Sequence, residues 1–269
     1  GARGLVAAAR DLGGVVDPDR SVRIRTLGGF GVDRDGEPVP LTAWQSKKAR
    51  DLLKILVARR GSAVPREELL EALWPGEPAT RTSNRLSVAL STLRAVLEPT
   101  GRTSDSPVVV ADRLSVRLDR ARVEIDVEQF LADAEEGLWL ARASDPAAAE
   151  VLARAEAAYL GEVLPEDAYD EGLARLRDEA RVAFLAVARA LARLAEGSGH
   201  PGAAARHYQR LLAVDPFDEA AHLGLVSALS LEGHHGEARR VYDQYAERMG
   251  ELDLEPAPFP TARTAAGSP

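Results

Sequence analysis

The 269-residue sequence contains no cysteine, which excludes a disulfide scaffold, thiolate metal sites and cysteine nucleophiles. It also lacks a run of about 20 apolar residues that could cross a bilayer. No basic segment followed by an apolar one opens the chain, so no secretory signal is predicted. We therefore expect a cytoplasmic protein without membrane contact. At roughly 150 residues per domain, the length predicts two domains, each large enough to bury its own core.

Motifs that carry enzyme chemistry are missing as well. There is no phosphate-binding loop ending in Lys-Ser or Lys-Thr, no G-x-G-x-x-G after a predicted strand and no H-E-x-x-H. The glycine-rich run 28–31 is interpreted as a turn in a sheet. All five histidines follow residue 199, and no group of acids completes a metal site around them. We expect no catalytic residue, no metal and no cofactor.

The net charge of −8 is an average over two unlike halves. Residues 20–120 carry 18 Lys and Arg against 12 Asp and Glu, a net charge of +6. Residues 121–269 carry 14 Arg against 27 acids, a net charge of −13. Such asymmetry indicates a nucleic-acid module joined to a second, acidic module. The acidic half is expected to repel DNA and to present a groove for a protein or a ligand.

Hydrophobic spacing in the basic half predicts a sheet, three helices and a hairpin, in that order. Alternating apolar residues between Val22 and Leu41 predict a small antiparallel sheet. Leucines spaced by three and four residues predict helices between Ser46 and Gly61, from Pro65 to Leu73, and from about 82 to 97. Ser46 is the expected N-cap of the first helix. The run 107–118 predicts a hairpin with its tip at Asp112-Arg113. This order is typical of a winged helix.

The acidic half is rich in alanine and predicts helices over 126–142, 146–160 and 168–195, followed by a repeat. Gly199-His200-Pro201-Gly202 and Gly233-His234-His235-Gly236 lie 34 residues apart, which is the tetratricopeptide period. The predicted fold is mainly α with a small β component, a winged helix-turn-helix followed by an all-α tetratricopeptide-like domain. The expected boundaries are 1–19 (linker), 20–120 (DNA-binding domain), 121–255 (helical domain) and 256–269 (disordered tail).

The third helix is the expected reader of DNA. Its polar residues lie opposite the leucine stripe, and no acid stands between Glu77 and Glu98. Arg pairs with guanine and Asn with adenine in the major groove, while basic residues at the start of the first helix and at the hairpin tip can reach phosphates. The predicted DNA-binding residues are Lys47, Lys48, Arg50, Arg81, Asn84, Arg85, Ser87, Ser91, Arg94 and Arg113.

The run from Trp44 to Pro99, with LWPG and ALSTLR as its sharpest pieces, resembles the Streptomyces antibiotic regulatory protein family. In that family an OmpR-like winged helix precedes a helical bacterial transcriptional activation domain, and EIDVEQFL and ELDLEP resemble the ends of that domain. The resemblance implies an activator that binds direct repeats near a promoter, as a homodimer on DNA, and contacts RNA polymerase holoenzyme. It implies that the loop 75–81, with Glu77 and Arg81, contacts the polymerase, and that the protein is associated with the nucleoid.

Two departures from that family and two other interpretations stand beside this one. The hairpin VVVADRLSVRL differs from the family's Gly-Tyr-Arg-Leu type, and a Pro/Ala tail replaces its final helix. The chain could instead be a repeat-type signalling scaffold or ligand sensor whose winged helix contacts protein. It could also be the output end of a larger regulator with an upstream domain. A basic, acid-free face on the third helix favours DNA, because a scaffold does not need one.

Overall fold

The computed structural model describes residues 22–98, 107–167 and 171–260. The predicted linker 1–19 lies outside these residues, as does the part of the predicted tail from residue 261 on. Contacts between residues divide the chain into two compact units. The first runs to Glu128 and includes the later segment Leu164–Ala174, and the second comprises Gln129–Val163 and the chain from Arg175 onward.

The first unit opens with a mixed sheet rather than the purely antiparallel one that the sequence predicts. Strand β1 (Val22–Arg25) pairs antiparallel with β2 (Gly31–Arg34), and β2 pairs with β3 (Glu37–Pro38). Strand β7 (Val123–Ile125) then joins β1 in parallel. A strand that pairs across about 100 residues leaves no local turn signal, and its three residues are too few for a periodicity, so it escaped prediction.

Three helices form the core of the first unit: α1 (Lys47–Ala58), α2 (Arg66–Leu73) and α3 (Ala79–Leu97). Their buried residues are the predicted leucine stripes, among them Leu52, Leu53, Leu69, Leu73, Leu86 and Leu93. The Ser46 hydroxyl accepts a hydrogen bond from the Lys48 amide, which confirms the predicted N-cap. Pro65 is the residue before α2 rather than its first residue, a difference of one position.

The predicted hairpin is present as β5 (Val109–Ala111) and β6 (Ser115–Leu118), with the short strand β4 (Val64–Pro65) beside β6. A 3-10 turn, Leu41–Ala43, leads into α1.

The segment that returns to the first unit is held by two kinds of polar contact. The Leu164 amide donates to the Thr26 carbonyl at 2.8 Å. Lys54 of α1 is 9% exposed and pairs through Nζ with Glu166, at 3.0 Å, and with Asp167. Its ammonium group lies 4.8 Å from the centre of the Phe30 ring. A buried ammonium needs partners, and the 3-10 turn Pro165–Asp167 supplies two carboxylates.

Helices α4 (Asp126–Arg142), α5 (Ala148–Ala158) and α6 (Glu171–Gly197) correspond to the first three helices predicted in the acidic half. Within the second unit, the ring of Tyr159 stacks on that of Phe184, with centroids 4.2 Å apart, and meets the ring of Phe130 at a tilt, with centroids 5.3 Å apart. The repeat region follows as α7 (Pro201–Val214), α8 (Glu219–Leu231) and α9 (His235–Glu251). Helices α7 and α9 begin 34 residues apart, as the sequence period predicts.

The segment after α9 packs against that helix as far as the structure describes it. The Tyr242 hydroxyl donates to the carbonyl of Ala257, and the Ala257 amide donates to the hydroxyl oxygen of Tyr245, both at 2.8 Å. The Phe259 ring meets Tyr242 edge-on, with centroids 5.1 Å apart, and Arg239 lies over both rings. Residues 256–260 thus make specific contacts where their composition predicts disorder.

Candidate nucleic-acid interface

Helix α3 has one buried side and one side open to solvent. It begins after Pro78, which has an extended backbone conformation, and its leucine stripe packs into the first unit. Arg81, Asn84, Arg85, Ser87 and Ser91 are all exposed, as the sequence predicts for a DNA-facing surface. The Ser87 hydroxyl donates to the Ser83 carbonyl one turn earlier, at 3.1 Å, so this side chain folds back on its own helix.

Val88 also lies on this exposed side, and the sequence interpretation missed it. It is 63% exposed, and it follows Asn84 by four residues and precedes Ser91 by three. Residues three and four apart are neighbours on one helix face, so Val88 lies between two of the predicted contacts. The predicted DNA-binding residues are all polar, although the spacing from Asn84 places Val88 on the same face.

Arg85 is paired with the loop before the helix. Its Nη1 donates to both carboxylate oxygens of Glu77, at 2.8 and 3.0 Å. The two side chains are 51% and 40% exposed, so the pair is solvated and contributes little to stability. The structure therefore joins a predicted base-contacting residue to a predicted polymerase-contacting residue.

Arg94 lies at the edge of the face rather than on it. It is half-buried, and its Nη2 donates to the Val109 carbonyl of the hairpin at 3.3 Å. In this arrangement Arg94 connects α3 to β5. Its role as a DNA contact stays a prediction, and such a contact would require the guanidinium to leave this carbonyl or to share its remaining donors.

The start of α1 concentrates positive charge where a helix disfavours it. Lys47 is exposed, Lys48 and Arg50 are half-exposed, and the first turn contains no acid. The N-terminal end of a helix carries a partial positive charge and suits anions. Lys48 is only loosely paired, with Nζ 3.8 Å from Asp51 and 6.0 Å from the centre of the Trp74 ring. The arrangement suits a phosphate group.

Asp112 closes the hairpin tip through hydrogen bonds, and Arg113 lies next to it. The Asp112 carboxylate accepts hydrogen bonds from the amides of Leu114, at 2.7 Å, and Ser115, at 2.8 Å. These bonds, that from Leu114 foremost, hold the pKa of Asp112 below its usual range. Arg66 of α2 donates to the Asp112 carbonyl at 3.0 Å. Arg113 is exposed, and a fixed turn limits the conformational entropy that it would lose on contact with DNA.

Contacts therefore connect every element that carries a predicted DNA-binding residue. Lys48 links α1 to the end of α2, Glu77 links the following loop to α3, Arg94 links α3 to β5, and Arg66 links α2 to the hairpin tip. Among the described residues, no group of His, Asp and Glu is placed to hold a metal ion. Over the same residues, no helix is long and apolar enough to span a membrane.

Comparisons with known proteins fit this architecture. A family model of the C-terminal part of transcriptional regulatory proteins matches residues 37–111, and a model of the bacterial transcriptional activator domain matches residues 125–265. The chain is similar in fold to the structure of Mycobacterium tuberculosis EmbR in complex with a low-affinity phosphopeptide, with a TM-score of 0.68 and 24% identity. That match covers 89% of this chain and 63% of that one, so this chain spans less than two thirds of its length. No curated protein matches the sequence. The predicted fold class is confirmed.

Proposed function

Because the chain belongs to the bacterial transcriptional activator domain family, in the arrangement of the Streptomyces antibiotic regulatory proteins, we propose that it is a sequence-specific DNA-binding transcriptional activator. It binds direct repeats near a promoter, two copies side by side, and contacts RNA polymerase there. The winged helix, 20–120, binds DNA, and the helical domain, 121–255, acts in activation. The protein works at the nucleoid, in the cytoplasm, and no catalytic step is assigned to it.

The observation that carries this proposal is the outer face of α3. From residue 78 to 97 the chain contains no acid, while Arg81, Asn84 and Arg85 are exposed there. An α-helix fits the major groove, and these residue types recognise guanine and adenine edges. The exposed or half-exposed cations at the start of α1 and the exposed Arg113 add phosphate contacts, which position a protein on the duplex without reading sequence.

The loop between α2 and α3 is the proposed polymerase contact. Glu77 and Arg81 are exposed, and they offer one charge of each sign at the point where α3 begins. The charge of Glu77 is shared with Arg85 in the free chain. When Arg85 turns to a base, the Glu77 carboxylate is released, so DNA binding itself prepares the loop for a cationic partner surface.

The test is selection of duplexes from a randomised library by the full chain, followed by titration of a selected and a scrambled duplex. Arg85→Ala should weaken binding to the selected duplex by roughly 1–3 kcal/mol and relax preference at one base position. Arg240→Ala, which removes an exposed arginine of α9, is the matched control and should bind as the unaltered chain does. Failure to enrich any duplex would refute DNA binding and favour the scaffold interpretation.

A further inference from the structure

Val88 is an exposed β-branched residue in the middle of a polar helix face. It is 63% exposed and is flanked one turn before by Asn84 and one turn after by Ser91, both exposed. Val88 is not part of the core of the first unit, because the buried side of α3 is formed by residues such as Leu86, Leu90 and Leu93. Its side chain points to solvent.

Folding does not account for valine at this position. A β-branched side chain loses rotamer freedom in a helix and lowers helix propensity relative to alanine or a long polar residue. Burial of apolar area normally offsets such a cost, but Val88 keeps most of its surface in water. The missing burial can be supplied by an apolar group on a binding partner.

The residues next to Val88 indicate which apolar group the partner supplies. The Asn84 amide suits the N6 and N7 edge of adenine, and in the major groove the apolar group is the C5-methyl of thymine. Asn84 and Val88 are four residues apart, about 6 Å along the helix. In a helix that follows the groove, this spans roughly two base pairs at ~3.4 Å each. Asn84 and Val88, on one face of the helix, can therefore contact an adenine and a nearby thymine.

We propose that Val88 contacts the C5-methyl group of a thymine and makes that base pair part of the recognised sequence. The inference rests on the proposed function and specifies its substrate as a site with an A·T pair at a fixed place in each half-site. The alternative is an apolar contact between Val88 and another protein. That protein would have to cover a face that carries Arg81 and Arg85 and has no acid between residues 78 and 97, and such a face favours DNA.

The experiment removes one methyl group from the DNA and one side chain from the protein. The full chain first selects its duplex from a randomised library, and each thymine of that duplex is then replaced singly by deoxyuridine, which differs only in lacking the methyl group. At one position the replacement should weaken binding by the unaltered chain about fourfold, the factor that ~0.8 kcal/mol of apolar burial represents.

Val88→Ala should weaken binding to the original duplex by a similar factor, and the sensitive deoxyuridine should then have no further effect. Val182→Ala is the matched control, because Val182 is an exposed valine of α6, 65% exposed, outside the proposed interface. That variant should retain the full methyl dependence. Circular dichroism confirms that both variants are folded.

The outcomes separate the two claims. If DNA is bound but no thymine is methyl-sensitive, or if Val88→Ala keeps the same sensitivity as the unaltered chain, Val88 does not read thymine while the DNA-binding proposal stands. If no duplex is enriched at all, the proposed function fails and the role of Val88 fails with it.

Discussion

Nη1 of Arg85 donates hydrogen bonds to both carboxylate oxygens of Glu77, at 3.0 and 2.8 Å. The pair spans the entry into α3, so an acid of the loop restrains an arginine of the helix that is proposed to contact a base. Because both side chains are about half exposed, the restraint is weak and can exchange for a contact with DNA. A substitution of either residue therefore changes the surroundings of the other.

Glu77→Gln should raise affinity for selected and scrambled duplexes by about two- to fivefold, the equivalent of the ~0.5–1 kcal/mol of a good exposed ion pair. The substitution frees Arg85 and removes a negative charge near the phosphates. At saturating protein, transcription in a purified system should nevertheless fall, because the loop has lost the charge proposed to meet the polymerase. Glu237→Gln, at an exposed position of α9, should change neither quantity. Unchanged binding and transcription would make the loop a spacer.

Lys47→Ala should weaken binding to all duplexes about equally and reduce the slope of log K against log salt by about one unit. Lys47 is exposed at the first position of α1, where we expect it to contact a phosphate rather than a base. Titrations of a selected and a scrambled duplex at several salt concentrations measure the slope. An unequal loss on the two duplexes would instead indicate a base contact.

Lys54→Met should lower the free energy of unfolding of the first unit by about 1.5–3 kcal/mol, the usual range for hydrogen bonds to charged groups. The substitution keeps much of the stem but removes the ammonium that pairs with Glu166 and Asp167. Urea unfolding gives the loss, and hydrogen exchange should show it first at the Leu164 amide. Lys47→Met, on the exposed side of α1, is the control and should change stability by less than ~0.5 kcal/mol.

Tyr245→Phe should release the segment after α9. The variant loses the hydroxyl that accepts from the Ala257 amide and donates to Glu219, both at 2.8 Å. Exchange at the Ala257 amide should accelerate by about fivefold, as expected for loss of ~1 kcal/mol of hydrogen bonding. Tyr208→Phe removes a comparable hydroxyl, the one bonded to Glu196, and should leave Ala257 exchange unchanged. Equal exchange in all three chains would show that this segment is not held by Tyr245.

The second unit should lose stability as the pH falls below about 6.5. Burial lowers the pKa of His222, and Arg248 adds to the shift, against opposing effects of the Pro216 carbonyl and Asp218. As the pH falls, the unfolded chain therefore protonates His222 first. The stability that neutral His222 contributes is complete above pH ~6.5 and is lost progressively between pH ~6.5 and the lower pKa of the folded chain. His222→Gln should reduce this dependence in urea titrations at several pH values. His200→Gln, at an exposed histidine, should preserve it.

Local features of this chain could be predicted from sequence because they depend on neighbouring residues. Leucine spacing predicted α1, α2 and α3, the hydroxyl of Ser46 predicted where α1 begins, and Asp112-Arg113 predicted the hairpin tip. The 34-residue offset predicted the start of α9 from that of α7. The exposed positions of Arg81 and Asn84 followed from the same periodicity, since the residues opposite a buried stripe face solvent.

Contacts between distant parts of the chain were decided by tertiary structure alone. No local sequence pattern relates the segments that these contacts join. Examples are the parallel pairing of β7 with β1, the ion pair between Glu166 and Lys54, and the hydrogen bond between Ala257 and Tyr245. Sequence periodicity shows which face of an element is apolar but not which partner covers it. The partner of a charged side chain such as Arg85 likewise depends on which groups the fold places near it, and here that group is the Glu77 carboxylate.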